Sequence, residues 1–375
     1  MRFSAPSGPL GLLFLLASLA SSFSLPYTFS SLFRNQQIPI TGASSPTESD
    51  TSKLPFRLVH QFPFPFYIES VYVRSNGDIL VTTVAPTASI WYLAGVAKGV
   101  PVVTRIADFD YINVASAIVE TEQPDVYHFI GGNQTTLGAG VDHTYAMYEL
   151  DVTQGLDKPL ITERVKMTDA RFCVHIEPLP GRPNQYLVSD TRAGIIWRVD
   201  ASAGTYKVAL QDDSMKPPVW APIKFGINNS HLRNGYLYWL NGFLGTIYRI
   251  KVNDEGFPVP GAQKEVIKEI RAVFLDGMSF DPLNRDVMWV NSNANNQLLA
   301  VPFKGEATSV LGASDDKVLP GPVEMAFGRV PGDTETLYVG TCGALVNPIN
   351  GTFVEGGKII AVDTSSFTVP AQGEL

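Results

Sequence analysis

Cysteine is nearly absent from the chain, charge is sparse, and the usual catalytic signatures are missing. Two cysteines in 375 residues allow at most one disulfide, Cys173 to Cys342. A net charge of -8 without a basic cluster argues against nucleic acid as a partner. No G-x-S-x-G, His-Glu-x-x-His, Cys-x-x-Cys or P-loop occurs, so serine-nucleophile, zinc and nucleotide chemistry lack their customary marks. The apolar run from Leu10 to Leu19 is too short to span a bilayer, which takes about 20 residues. With Arg2 before it and small residues after it, the run predicts a cleaved secretory signal over residues 1–22 and no membrane span once it is removed.

What is present is a chain that is 45% hydrophobic and 17% charged, with 32 Gly and 27 Pro. Such a composition buries a large core and places Gly and Pro in turns, as all-β proteins do. Residues 41–53, TGASSPTESDTSK, have almost no apolar content and predict a flexible linker. Sequons at Asn133, Asn228 and Asn350 agree with passage through the secretory pathway, to the outside or to a compartment lumen. Asn133 and Asn350 are the glycan candidates, because Asn228 has another place in the repeat described next.

The stretch FLDGMSFDPLNRDVMWV from Phe274 reads as a hairpin of two apolar strands around a polar turn. It recurs as IESVYVRSNGDILVTTV from Ile68, GINNSHLRNGYLYWLN from Gly226 and VEMAFGRVPGDTETLYVG from Val323. Weaker copies begin at Val174 and Asn113. A second mark follows each hairpin, a bulky residue, a spacer and an aliphatic, at Trp91, Tyr148, Trp197, Tyr248, Leu299 and Ile360. Their intervals are 57, 49, 51, 51 and 61 residues. Repeats of about 50 residues with four strands each predict a β-propeller, since one small sheet cannot bury its faces alone. Six copies predict a six-bladed β-propeller over residues 56–366, closed by residues 56–62 as the outer strand of the last blade, with a tail at 367–375. KEVIKEI at Lys264 could pass for a helical turn, but its place in the repeat predicts an outer strand.

The first residues of the inner strands stand at one mouth of the central channel. In register these are Glu69, Asn113, His175 or Val174, Asn228, Asp276 and Glu324. Glu69, Asn228 and Asp276 offer the hard oxygens that a structural Ca²⁺ takes; the competing reading is that they satisfy backbone groups or channel waters. His175 faces the channel as a proton shuttle or hydrogen-bond donor, or is satisfied within its blade. Arg171, Trp220, Phe225 and Phe274 flank the inner strands as an apolar, partly cationic rim that, with Asn113 and Glu324, would line a substrate site. Cys173 and Cys342 fall on the same face but in opposite blades, so pairing and separate thiols both remain open.

These hairpins resemble those of the SMP-30/gluconolactonase/strictosidine-synthase-like six-bladed propellers. ESVYVRSNGDILVT at Glu69, LDGMSFDPLNRDVMWV at Leu275 and MAFGRVPGDTETLYVG at Met325 carry the likeness. AFGRVPGD together with IIWRVD at Ile195 resembles the secreted fungal branch. The resemblance implies Glu69, Asn228 and Asp276 as metal ligands. It also implies a further Asn from the third inner strand, which here reads RFCVHIEPLP with Val174 and His175 instead. In length, signal segment and this altered strand the chain is similar to the hetero-Diels-Alderases of tropolone-sesquiterpenoid biosynthesis. That likeness implies a cofactor-independent joining of a polyketide-derived tropolone o-quinone methide to a humulene-type terpene alkene, giving a dihydropyran, with His175 or Arg171 as donor. The alternatives are a metal-dependent lactonase or esterase-like hydrolase and a non-catalytic secreted binding propeller.

Overall fold

Short β-branched and aromatic runs separated by residues that accept positive φ favour hairpins over helices. Gly77, Asp125, Asn184, Asn234, Asn284 and Gly332, all at positive φ, turn the first hairpin of the six repeats in order. The structure, a computed structural model, describes residues 53–272 and 274–369. The signal segment, all of the 41–53 linker but Lys53, and residues 370–375 lie outside the described residues.

Among the described residues, twenty-four strands form six four-stranded antiparallel sheets. After β1 (Phe56–Gln61), the first sheet holds β2 (Tyr67–Val73), β3 (Ile79–Ala85), β4 (Ser89–Ala94) and β5 (Val102–Asp108). The second holds β6 (Val114–Glu120), β7 (Val126–Gly132), β8 (Ala146–Asp151) and β9 (Leu160–Lys166). The third holds β10 (Cys173–Pro178), β11 (Gln185–Asp190), β12 (Ile195–Asp200) and β13 (Thr205–Gln211). The fourth holds β14 (Ile227–Arg233), β15 (Tyr236–Asn241), β16 (Thr246–Lys251) and β17 (Glu265–Glu269). The fifth holds β18 (Leu275–Phe280), β19 (Val287–Ser292), β20 (Gln297–Pro302) and β21 (Thr308–Gly312). The sixth is β22 (Pro322–Phe327), β23 (Thr336–Thr341) and β24 (Lys358–Asp363), with β1 as its outer strand. Leu58 of β1 lies opposite Ile360, so the first and last strands share one ladder. The segment KEVIKEI contributes β17, because its place on the ladder of β16 outweighs helical propensity.

Apolar faces of neighbouring sheets pack into shared clusters. Leu187 and Ile196 of the third sheet meet Leu237 and Trp239 of the fourth, and Trp289 of the fifth meets Met325 and Val339 of the sixth. Trp239 and Trp289 are fully buried, and truncating such a side chain costs about 3–5 kcal/mol. Phe367 packs edge-on against Trp289 at 5.1 Å, and the Arg285 guanidinium donates to the Phe367 carbonyl at 3.3 Å. The fold therefore includes the first residues of the segment expected as a tail.

Candidate functional site

Each of the six inner strands carries a β-bulge in its first half. The register against the second strand shifts around Glu69 in β2, Ser116 and Ala117 in β6, Val174 in β10, Asn228 and Asn229 in β14, Asp276 and Gly277 in β18, and Val323 and Glu324 in β22. A bulge leaves a residue out of the ladder and re-aims its side chain. Gly277 is needed where it stands: a Cβ there would come within 2.6 Å of the Val323 carbonyl and 2.8 Å of the Glu324 carboxylate.

At the mouth, Asp276 accepts from the Asn228 amide at 2.7 Å and from the Asn293 amide at 3.0 Å. Burial, then the charges of Glu69 and Glu324, raise its carboxyl well above the usual range, against the pull of those two amides. Burial, and next Glu324, push the Glu69 carboxyl up to about 8. Glu69 is therefore largely protonated near neutral pH, and a protonated carboxyl can donate a hydrogen bond.

One layer deeper the composition changes. The Asn229 amide donates to Glu324 at 2.9 Å and lies 3.1 Å from His175 Nδ1. His175 packs edge-on against His231 with ring centroids 4.8 Å apart, and Glu177 lies 3.0 Å from His231 Nδ1. Burial alone would lower the His175 pKa, but the Glu177 and Glu324 carboxylates outweigh it and hold the ring at about 9.

Above the mouth, aromatic rings from four blades form an arc. Tyr145 lies 5.7 Å from Phe172, Phe172 lies 5.3 Å from Phe225, and Phe225 lies 5.9 Å from Phe274. Phe274 stacks on Phe243 at 4.9 Å, and Phe243 meets Trp220 edge-on at 6.1 Å. Phe274 holds φ 50°, in the left-handed region that non-glycine residues occupy at a cost of about 1–3 kcal/mol. The arc is buried until its last member, since Phe274 is 2% exposed and Trp220 is 51% exposed.

Glu69, Asn228, Asp276 and Glu324 thus meet at the bulges, with His175 beneath them and Phe225, Phe274 and Trp220 above. Asn113 does not join them. It precedes β6, is exposed, and bonds through its side chain to the Gln134 backbone at 2.8 and 2.9 Å. The equivalent place in blade two belongs to Ser116 and Ala117, three and four residues later. Arg171 is exposed in the turn before β10, with its backbone N–H on Asp190 at 2.8 Å.

The disulfide is corrected: Cys173 and Cys342 are free and buried, one opening β10 of the third sheet and the other following β23 of the sixth. Burial raises the Cys173 thiol well above its usual range and pushes Cys342 up to about 12, so both stay neutral inside the apolar cluster. Asn133 is half-buried, and its side chain bridges the Tyr111 carbonyl and the Asn113 N–H, while Asn350 is exposed. Sequence reasoning missed Asn229, Glu177, His231, Tyr145, Phe172 and Phe243. The alternation His175-x-Glu177 was the visible signal for one pair, since alternate residues of a strand share a face.

Calcium takes six to eight oxygens. Glu69, Asn228 and Asp276 fit it in kind but fall short in number, and Ala117 and Val174 stand where blades two and three would contribute. Two clefts, of about 350 and 400 Å³, lie on the outside of the blades near Arg164 and near Lys251 and belong to neither layer. No helix among the described residues is long and apolar enough to cross a membrane.

No family model matches the chain. It is 31% identical over 312 residues, 78% of this chain and 88% of the relative, to a protein named hetero-Diels-Alderase from Phoma sp. A second protein so named, from Sarocladium schorii, is 28% identical over 343 residues, 84% of each chain. Among solved structures, luciferin-regenerating enzyme matches with a TM-score of 0.60 at 11% identity, covering 84% of this chain and 98% of that one. Regucalcin from Agrobacterium tumefaciens, a calcium-binding protein, matches with a TM-score of 0.57 at 14% identity, covering 83% and 95%. At such identities these likenesses speak to the fold alone. The sequence relatives speak to more: the chain belongs to the hetero-Diels-Alderase family, here a six-bladed β-propeller.

Proposed function

We propose that this pericyclase joins a tropolone-derived o-quinone methide, of polyketide origin, to the alkene of a humulene-type sesquiterpene and closes a dihydropyran without a cofactor. The cycloaddition forms one C–C and one C–O bond and releases nothing, so it needs no nucleophile. It needs two partners held face to face, and such positioning is worth roughly 7–11 kcal/mol.

What supports the reading is the juxtaposition of the aromatic arc from Trp220 to Tyr145 with the hydrogen-bonding residues at the bulges. The rings suit a hydrocarbon macrocycle and the face of a tropolone. Glu69, protonated below about 8, donates to the quinone-methide carbonyl and makes the diene more electrophilic. His175 is a positioning residue in this scheme, acting on the mouth through Asn229 and Glu324, and Arg171 meets the polar edge of a ligand at the rim. Passage through the secretory pathway, read from residues 1–22, belongs to the same proposal.

The test is turnover of a quinone-methide precursor with a humulene-type alkene, scored for rate over background and for diastereomer ratio. The expected result is one dominant diastereomer, with Phe225→Ala lowering kcat/KM about 10-fold or more and loosening the ratio. A product ratio equal to the uncatalysed one, or lactone hydrolysis without cycloadduct, overturns the reading.

A further inference from the structure

Two histidines and a glutamate meet on the channel floor, and the cycloaddition scheme gives no role to Glu177, to His231 or to the inner nitrogen of His175. His175 and Glu177 alternate along β10 and share its channel face, and His231 reaches the same point from β14. One ligand atom from each of the three can be chosen so that all lie within 4.8 Å of one another. Glu177 Oε2 is 3.0 Å from His231 Nδ1 and 4.0 Å from His175 Nε2, the latter too long for a hydrogen bond.

The far side of each group is already held. His231 Nε2 donates to the Met278 carbonyl at 2.7 Å, His175 Nδ1 faces Glu324 at 3.5 Å, and Glu177 Oε1 accepts the Leu232 N–H at 2.9 Å. Metal centres are built this way: an imidazole anchored through its outer nitrogen to a carbonyl or carboxylate presents the inner nitrogen in a fixed orientation. Two buried polar atoms at this point, His175 Nε2 and Asn229 Oδ1, have no hydrogen-bond partner.

We propose that His175 Nε2, Glu177 Oε2 and His231 Nδ1 bind one divalent transition-metal ion on the floor of the channel, zinc by the nature of the donors. Two imidazoles and a carboxylate are a zinc set, whereas calcium and magnesium take oxygens, so this site differs in kind from the mouth above it. Zinc–ligand distances near 2.0–2.2 Å require His175 Nε2 to approach the other two atoms by about an ångström, the Glu177–His231 pair being close already at 3.0 Å. The ion ties β10 to β14, with a carbonyl of β18 and a carboxylate of β22 behind its ligands, and so joins four blades beneath the reaction end. The histidines stand 56 positions apart on separate strands, which is why no zinc motif appears in the sequence.

The full chain, purified without a metal-binding tag and dialysed against buffered Zn²⁺, is assayed for metal per chain and its shell counted by X-ray absorption. One ion per chain with two imidazoles and no sulfur is expected. Glu177→Gln should weaken zinc by at least about 100-fold, His175→Ala should abolish it, and Glu69→Gln should leave it unaltered. No retained ion, an all-oxygen or sulfur-containing shell, or wild-type affinity in the Glu177 and His175 variants overturns the site. If circular dichroism shows His175→Ala unfolded, the wild-type shell and Glu177→Gln decide.

Discussion

Glu69 and Glu177 are the same side chain in the same channel, yet they sit at opposite ends of the carboxylate range. Burial raises both. At the mouth the next influence is another carboxylate, Glu324, and Glu69 stands at about 8. On the floor His231 and His175 outweigh burial, and Glu177 falls to about 2. Depth does not set the difference; the sign of the neighbour does. One channel thus holds raised carboxyls at Glu69 and Asp276 beneath an apolar arc and, under them, a carboxylate at Glu177 held low by histidines of two neighbouring blades.

The largest effect should come from removing the partner of Glu177 on the floor. His231→Ala leaves the Glu177 carboxylate enclosed without its partner at 3.0 Å and should cost about 3–5 kcal/mol in denaturant unfolding, while the matching loss at the mouth, Asn228→Ala, should cost about 1–3 kcal/mol. The second effect is pH dependence at the mouth. The folded state keeps the Glu69 proton that the unfolded chain has already lost, so this group's contribution to stability falls as pH rises from about 4.5 to about 8. Glu69→Gln should flatten that limb in denaturation curves. It should also remove the decline in turnover through about pH 8, because the amide donates at every pH. A third, smaller change is Trp220→Ala, which trims the exposed end of the arc. KM should rise several-fold, by about 1 kcal/mol of binding, with the melting temperature nearly unchanged. The smallest is Asn113→Ala, which should cost about 1 kcal/mol in stability through lost bonds to the Gln134 backbone and leave kcat/KM as it was.

The hairpins and the marks from Trp91 to Ile360 were legible as six sheets because period and turn chemistry are local properties. Glu69, Asn228, Asp276 and Glu324 were legible because each opens a strand whose far end is fixed by a turn. Asn113 occupies no bulge for a related reason: blade two has no charged or amide side chain at its bulge, and Asn113 is the side chain of that kind just before the strand. Glu177 lay two residues beyond His175 in plain view, but its significance depends on His231, which only the packing of β10 beside β14 supplies. Half of the arc, Trp220, Phe225 and Phe274, was legible as rim before the inner strands β14 and β18, whereas Tyr145 and Phe243 adjoin strands other than the inner ones and carry no such mark. The cysteines share a face and an apolar cluster, yet they open or follow strands of opposite blades, a separation no spacing rule measures.

The residues that define the mouth stand outside the ladders that hold the sheets together. A side chain lacking a cross-strand mate can be exchanged without re-pairing its neighbours, so each blade presents one replaceable fitting on an otherwise fixed frame. Substrate preference in such a ring can therefore be altered one blade at a time, and a new selectivity need not wait for a new fold.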